Sequence, residues 1–175
     1  MKLVIRLPAN RWLPGHAALI ASDGAELGRW PCRGKADDKL ATLSGNAPSG
    51  NPSRRDPRKR NGDTPAGTWQ NCRAVKRPPK FNDRIGAAWI PLPHECAADD
   101  ATRALLDPER EGHRDGLAIH AGRGDGELKA TEGCVRMRDK DLAALLALVG
   151  KESFAVEIEE VDVARPRALS PQASA

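Results

Sequence analysis

Gly116-Leu117-Ala118-Ile119-His120 is a short apolar run that ends in a histidine, and Thr131-Glu132-Gly133-Cys134-Val135-Arg136-Met137 sets a cysteine behind a glycine. The first run has the length and composition of a buried strand. Thirteen residues separate His120 from Cys134, and they include Gly122, Gly124 and Gly126. That length and that backbone freedom suit a hairpin-like excursion that returns the chain to the histidine. Downstream, Leu142, Leu145, Leu146 and Val149 recur at helical spacing, which predicts a helix over 139–149. Asp139 stands where a helix start is capped and Gly150 where a helix ends. Residues 154–161 then alternate apolar and acidic side chains, the pattern of a half-buried strand.

Upstream, the segment Thr64-Pro65-Ala66-Gly67-Thr68-Trp69 reads as a turn feeding a strand, with Pro65 fixing φ and Gly67 permitting a tight backbone. Residues 87–92 form a further strand, 97–106 have helical composition, and 109–115 are a charged turn. Near the start, Leu3, Ile5 and Leu7 share one face of a strand over 2–7. Strands over 17–22 and 27–32 flank Asp23-Gly24, a hairpin turn signal. Together these elements predict a mainly β, mostly antiparallel domain with a C-terminal helix packed on one sheet. The domain is expected over 1–163, with 34–63 as a long basic surface loop and 164–175 as a flexible tail.

Bulk properties narrow the function classes. The chain has 175 residues, 39% hydrophobic and 30% charged, as in a globular domain with its own core. Aromatic residues make up only 3%, which argues against a base-stacking nucleic-acid binder. The net charge of +4 equals that of the run from Arg54 to Arg60 alone, so the basic character is one loop rather than a face. A solvated loop is the ordinary reading of such a run; attraction to an anionic polymer is the functional one. No stretch has the roughly 20 apolar residues of a membrane span, and no secretory signal is visible, so the chain is expected to be made in the cytoplasm. The four cysteines show no CxxC spacing, and the four histidines are dispersed, which argues against a metal site. A Cys32–Cys72 bridge stays open.

Taken alone, Cys134 reads as a small buried hydrophobe and His120 as a satisfied interior histidine. Together they form a pair with a chemistry. A histidine within hydrogen-bond reach activates a thiol at neutral pH. Gly133 lets a bound carbonyl come close, Arg136 favours the thiolate, and the amides of Gly133 and Cys134 are candidate oxyanion donors. The remaining histidines, His16, His94 and His113, sit in turn-like or charged settings and read as surface residues.

These segments resemble the catalytic domain of the L,D-transpeptidase (YkuD-type) family. The likeness lies in Ile119-His120, in Thr131 to Met137, in Asp63 to Trp69, which is similar to the family's Thr-Pro-x-Gly-x-aromatic segment, and in Leu27 to Lys35 with its Gly-Lys turn. It covers roughly residues 2–162. The resemblance implies a β-sandwich-like fold and a thiol acyl transferase that needs no cofactor and acts on peptidoglycan stem peptides. It makes Cys134 the nucleophile and His120 the general base, with the Ala121 carbonyl orienting the imidazole. Arg136 would support the site or meet a substrate carboxylate, and Thr131 and Glu132 would lie on the substrate side.

Two features depart from the family pattern. Glu132 stands where the family usually has histidine; facing Cys134 it would oppose thiolate formation, and facing substrate it would recognise a cationic amine. The chain also shows no signal, anchor or wall-binding module, which leaves room for an exported antibacterial effector, a phage-related protein or an enzyme of soluble peptides. Three readings therefore stand: transfer to an amine, hydrolysis as an L,D-carboxypeptidase, and a non-catalytic wall-peptide binding module. Nucleic-acid binding through the basic loop ranks last.

Overall fold

The computed structural model describes residues 1–11, 13–36, 55–76, 85–111, 113–122 and 125–162. The expected tail over 164–175, most of the expected basic loop (37–54) and Gly124 lie outside the described residues.

Two mixed sheets carry the chain. The first has five strands in the order β3-β2-β1-β9-β4: Lys2–Pro8 (β1), Gly15–Ile20 (β2), Glu26–Cys32 (β3), Gly67–Cys72 (β4) and Phe154–Val161 (β9). The second has four, in the order β5-β6-β7-β8: Val75–Lys76, Ala88–Pro91, Ala118–His120 and Val135–Arg136. Between β6 and β7 lie a 3-10 turn over His94–Cys96 and a helix, α1, over Asp100–Leu106. The expected helix over 97–106 thus starts later. Asp99 caps it, its carboxylate accepting from the Thr102 amide at 2.7 Å, and this fixes the start.

The second helix, α2, spans Asp139–Val149 and closes at Gly150, as its periodicity predicts. Its start is capped differently from the expectation. Asp139 does not cap it; its carboxylate accepts from the Gly122 amide at 2.6 Å. Asp125 accepts from the Lys140 amide at 2.8 Å instead. The glycine-rich connection is therefore tied twice to the first turn of α2.

Pairing is mostly antiparallel, as predicted, with two exceptions. β1 pairs with β9 in parallel, and so do β7 and β8, while the remaining pairs are antiparallel. Parallel neighbours need a crossover of a dozen or more residues. For β7 and β8 the segment between His120 and Val135 supplies it, while β1 and β9 are the first and last described strands. That segment is a crossover, not a hairpin, and it returns the chain to the start of the neighbouring strand.

One apolar core joins the layers. Leu3, Ile5, Leu7 and Val156 from the first sheet, Ile90, Ile119 and Val135 from the second, and Leu142, Leu145 and Val149 from α2 all belong to it. Trp69, which ends the Thr-Pro-Ala-Gly-Thr-Trp segment, is fully buried within it. The four cysteines are free thiols, and the neighbour of the Cys72 thiol is Cys96 rather than Cys32. Among the described residues, no helix is long and apolar enough to cross a membrane.

Candidate active site

The register of β7 on β8 builds the site. Ile119 lies opposite Val135 and His120 opposite Arg136, so Cys134, just before β8, comes beside Ala118. Side chains alternate along a strand. Ile119 and Val135 thus turn into the core, where both are fully buried. His120, Cys134 and Arg136 turn to the other face. There they line a cleft of about 490 Å³ together with Trp89, Asp115 and Glu132. A volume of this order suits a small-molecule or peptide ligand. Trp89 enters from β6, opposite His120 on the antiparallel side.

His120 is buried, and its Nδ1 lies 2.8 Å from the Ala121 carbonyl. A carbonyl only accepts, so Nδ1 carries a proton, and the neutral ring has its lone pair on Nε2. Arg136 braces that carbonyl: its Nη1 donates to Ala121 O at 3.0 Å and to Gly122 O at 2.9 Å. Of the two roles the sequence offered for Arg136, its guanidinium is engaged in the supporting one. The strand itself is held to the first sheet, because Arg33 and Arg136 exchange backbone hydrogen bonds at 2.9 and 2.8 Å.

The turn before Cys134 is held by two threonines. Thr64 Oγ1 lies 2.8 Å from Gly133 O and 3.1 Å from Cys134 O. Thr131 Oγ1 lies 2.7 Å from Cys134 O and 3.0 Å from Lys35 O, and it accepts from the Gly133 amide at 3.1 Å. Thr131 lines the cleft, but its hydroxyl serves the turn. The Gly133 amide, an expected oxyanion donor, is occupied by that hydroxyl in this conformation. Gly133 has φ +108, which excludes other residues on backbone grounds alone. The Thr-Pro-Ala-Gly-Thr-Trp segment and the Gly34-Lys35 turn therefore do not merely precede the site. They form the floor beneath Cys134.

Burial pushes the Cys134 thiol above its ordinary range. The Ala118 amide, Arg114 and Arg136 pull it back down, and Glu132 pushes it further up. The thiol donates to Gly116 O at 3.4 Å. The resting side chain is thus a protonated thiol that needs a base, and Arg114 outweighs Arg136 as its cationic neighbour. Arg114 gave no sequence signal, because it lies inside a charged turn that reads as solvated. It is buried all the same. Glu132 is exposed and lines the cleft.

A protonated thiol and an imidazole whose Nδ1 is fixed as a donor, on one face of paired strands in an open cleft, are groups that thiol acyl transfer can use. The sequence comparison agrees in class: a family model of the L,D-transpeptidase catalytic domain, YkuD, matches residues 17–158. The chain belongs to the YkuD L,D-transpeptidase catalytic-domain family, whose members are generally enzymes of peptidoglycan peptides. Among solved structures, Bd1075 of Bdellovibrio bacteriovorus is similar in fold, with a TM-score of 0.54 at 12% sequence identity. The likeness covers 94% of this chain and 50% of that one, so this chain spans about half its length. No curated protein sequence matches significantly.

Proposed function

We propose that this protein is a cysteine-dependent acyltransferase of peptidoglycan stem peptides. Cys134 Sγ attacks the carbonyl carbon of the donor peptide bond, and His120 Nε2 takes the thiol proton. The tetrahedral intermediate collapses by expelling the amine, to which His120 returns the proton, leaving a thioester on Cys134. An incoming amine then gives a new amide and frees the thiol; water in its place gives a free acid. The Ala121 carbonyl, braced by Arg136, holds the imidazole in the tautomer that both proton transfers need. Because Thr131 occupies the Gly133 amide, the oxyanion relies on the Cys134 N–H unless the turn shifts.

The observation that carries this reading is the His120 Nδ1 to Ala121 O bond, in a cleft that His120 and Cys134 both line. The raised thiol and exposed Glu132 favour a second reading, in which the cleft binds wall peptides without turning them over. Incubation with purified muropeptides followed by mass spectrometry separates them. Dimers, or exchange with an added D-amino acid, support transfer; loss of a terminal residue supports a carboxypeptidase. Carbapenem is expected to add its mass to the wild-type protein and not to Cys134→Ala. Retained turnover in a folded Cys134→Ala protein would refute the acyl-enzyme, and binding without either reaction would leave the binding module.

A further inference from the structure

Arg114 has no part in the chemistry above, yet it is among the most enclosed cations of the structure, with 2% of its surface exposed. Its Nη1 donates to the Lys59 carbonyl, and its Nη2 lies 3.4 Å from the Gly133 carbonyl. A Cβ at Gly133 would run into that Nη2 and into Gly62 O, so the turn before Cys134 is shaped around the guanidinium. We propose that Arg114 is a positioning residue for the nucleophile: it clamps the Gly133 turn to the 59–62 turn and supplies the buried positive charge against which the Cys134 thiolate forms. The proposal rests on the reading of Cys134 as a nucleophile.

A buried cation is costly unless an anion lies near it. Among the described residues Arg114 makes no salt bridge within 4.0 Å. Its hydrogen bonds run to neutral carbonyls, and Asp63, Asp115 and Asp56 act on it only through space. Cys134 is the largest of its favourable electrostatic partners. The anion that best compensates the guanidinium is therefore the one the chemistry generates. A neutral thiol leaves Arg114 undercompensated, and removing the proton relieves that. Arg114 thus favours the charged state of Cys134 against burial and against Glu132, with Arg136 and the Ala118 amide acting in the same sense. His120, which lines the cleft together with Asp115, Glu132, Arg60 and Arg136, receives the proton.

The test is the pH profile of Cys134 alkylation by iodoacetamide, followed by peptide mass spectrometry so that Cys32, Cys72 and Cys96 are read separately. Arg114→Met is expected to raise the alkylation midpoint by about one pH unit, slowing the reaction at pH 7 about tenfold, with the wild-type rate regained on the alkaline plateau. A folded Arg114→Met protein with a profile superimposable on wild type would overturn the proposal. Where Arg114→Met does not fold, Arg114→Lys decides. It keeps the charge on a chain that cannot reach both carbonyls, and alkylation at pH 7 is expected to slow by at least about threefold. An unchanged rate in that variant would overturn the clamp. A residue that only stabilised the fold would change the melting temperature and leave the midpoint in place. The alkylation readout needs no substrate, so it remains informative if acyl transfer fails; a null result beside normal acyl-enzyme formation removes Arg114 alone.

Discussion

Replacing Thr131 by valine removes one hydroxyl and keeps the side-chain shape. That hydroxyl accepts from the Gly133 amide at 3.1 Å and lies 2.7 Å from Cys134 O. It has a single proton to share between Cys134 O and Lys35 O, and the shorter distance favours Cys134 O. After the change, Cys134 O is left with Thr64 Oγ1 at 3.1 Å, whose single proton lies closer to Gly133 O at 2.8 Å, while Lys35 O keeps the Thr131 amide at 2.8 Å. The Gly133 amide, in a buried residue, loses the acceptor that holds it. An unsatisfied buried amide costs about 1–3 kcal/mol, and the lost bond to Cys134 O adds about 1 kcal/mol, so a total near 3 kcal/mol is expected. Thr131→Ser keeps the hydroxyl and loses one methyl group, about 1 kcal/mol. The assay is equilibrium urea unfolding followed by tryptophan fluorescence. With a slope of about 2 kcal/mol/M, the valine midpoint should fall by about 1.5 M and the serine midpoint by about 0.5 M. Equal midpoints for the two variants, at unchanged slope, would show that the hydroxyl does not hold the turn.

Asp63 gives a stability effect with a defined sign. Burial pushes its carboxyl up to about 6, against the Ala36 amide and the charges of Arg55, Arg11 and Arg114. A folded value above the unfolded one, near 3.9, means that the native state binds the proton more tightly. The contribution of Asp63 is then fully present below about pH 4 and is lost as pH rises through about 6. Unfolding of wild type and Asp63→Asn at pH 4 and pH 7 should show the wild type losing roughly 2 kcal/mol relative to the variant over that interval. A difference that stays flat or moves the other way would mean that the arginines outweigh burial. Glu132→Gln acts on the thiol instead: removing the exposed charge that opposes the Cys134 thiolate should speed alkylation at pH 7 about threefold at low salt, less at 0.5 M. Identical rates at low salt would show that the carboxylate does not sense Cys134.

The sequence made some parts of this fold legible and hid others, and the division has a physical basis. Strand alternation over 154–161 and helical spacing over 142–149 are local, and both elements appear where the patterns put them. Partner direction is not local. A strand's side-chain pattern reads the same whether its neighbour runs with it or against it, so the parallel β1·β9 and β7·β8 pairs carried no signal. Hydrogen bonds made at long range were equally silent. Thr64 reaches Gly133 across 69 residues, and Asp125 caps a helix from 15 residues away. Arg114 sits between His113 and Asp115, where solvent is the ordinary expectation for charge, and only the packed structure reveals that the turn is folded inward.

The direction of β8 also decides what kind of site this can be. His120 and Cys134 were legible as residue types in order, but a hairpin between them would have run the cysteine's strand back from the histidine. The parallel crossover instead starts β8 beside Ala118, so that the Ala118 amide reaches the sulfur. It also carries Arg136 to a place directly opposite His120, where its guanidinium holds the carbonyl that orients the imidazole. The Ala118 contact to the sulfur and the Arg136 brace on the carbonyl beside the imidazole are thus both consequences of one register. A one-residue slip would turn Cys134 and Arg136 into the core and bring Val135 to the cleft. The glycines at 122 and 126 do not loosen this connection. Gly122 donates to Asp139, Gly126 accepts from Arg138, and Asp125 between them caps α2. The helix packed on the first sheet thereby anchors the crossover that sets the register of the site.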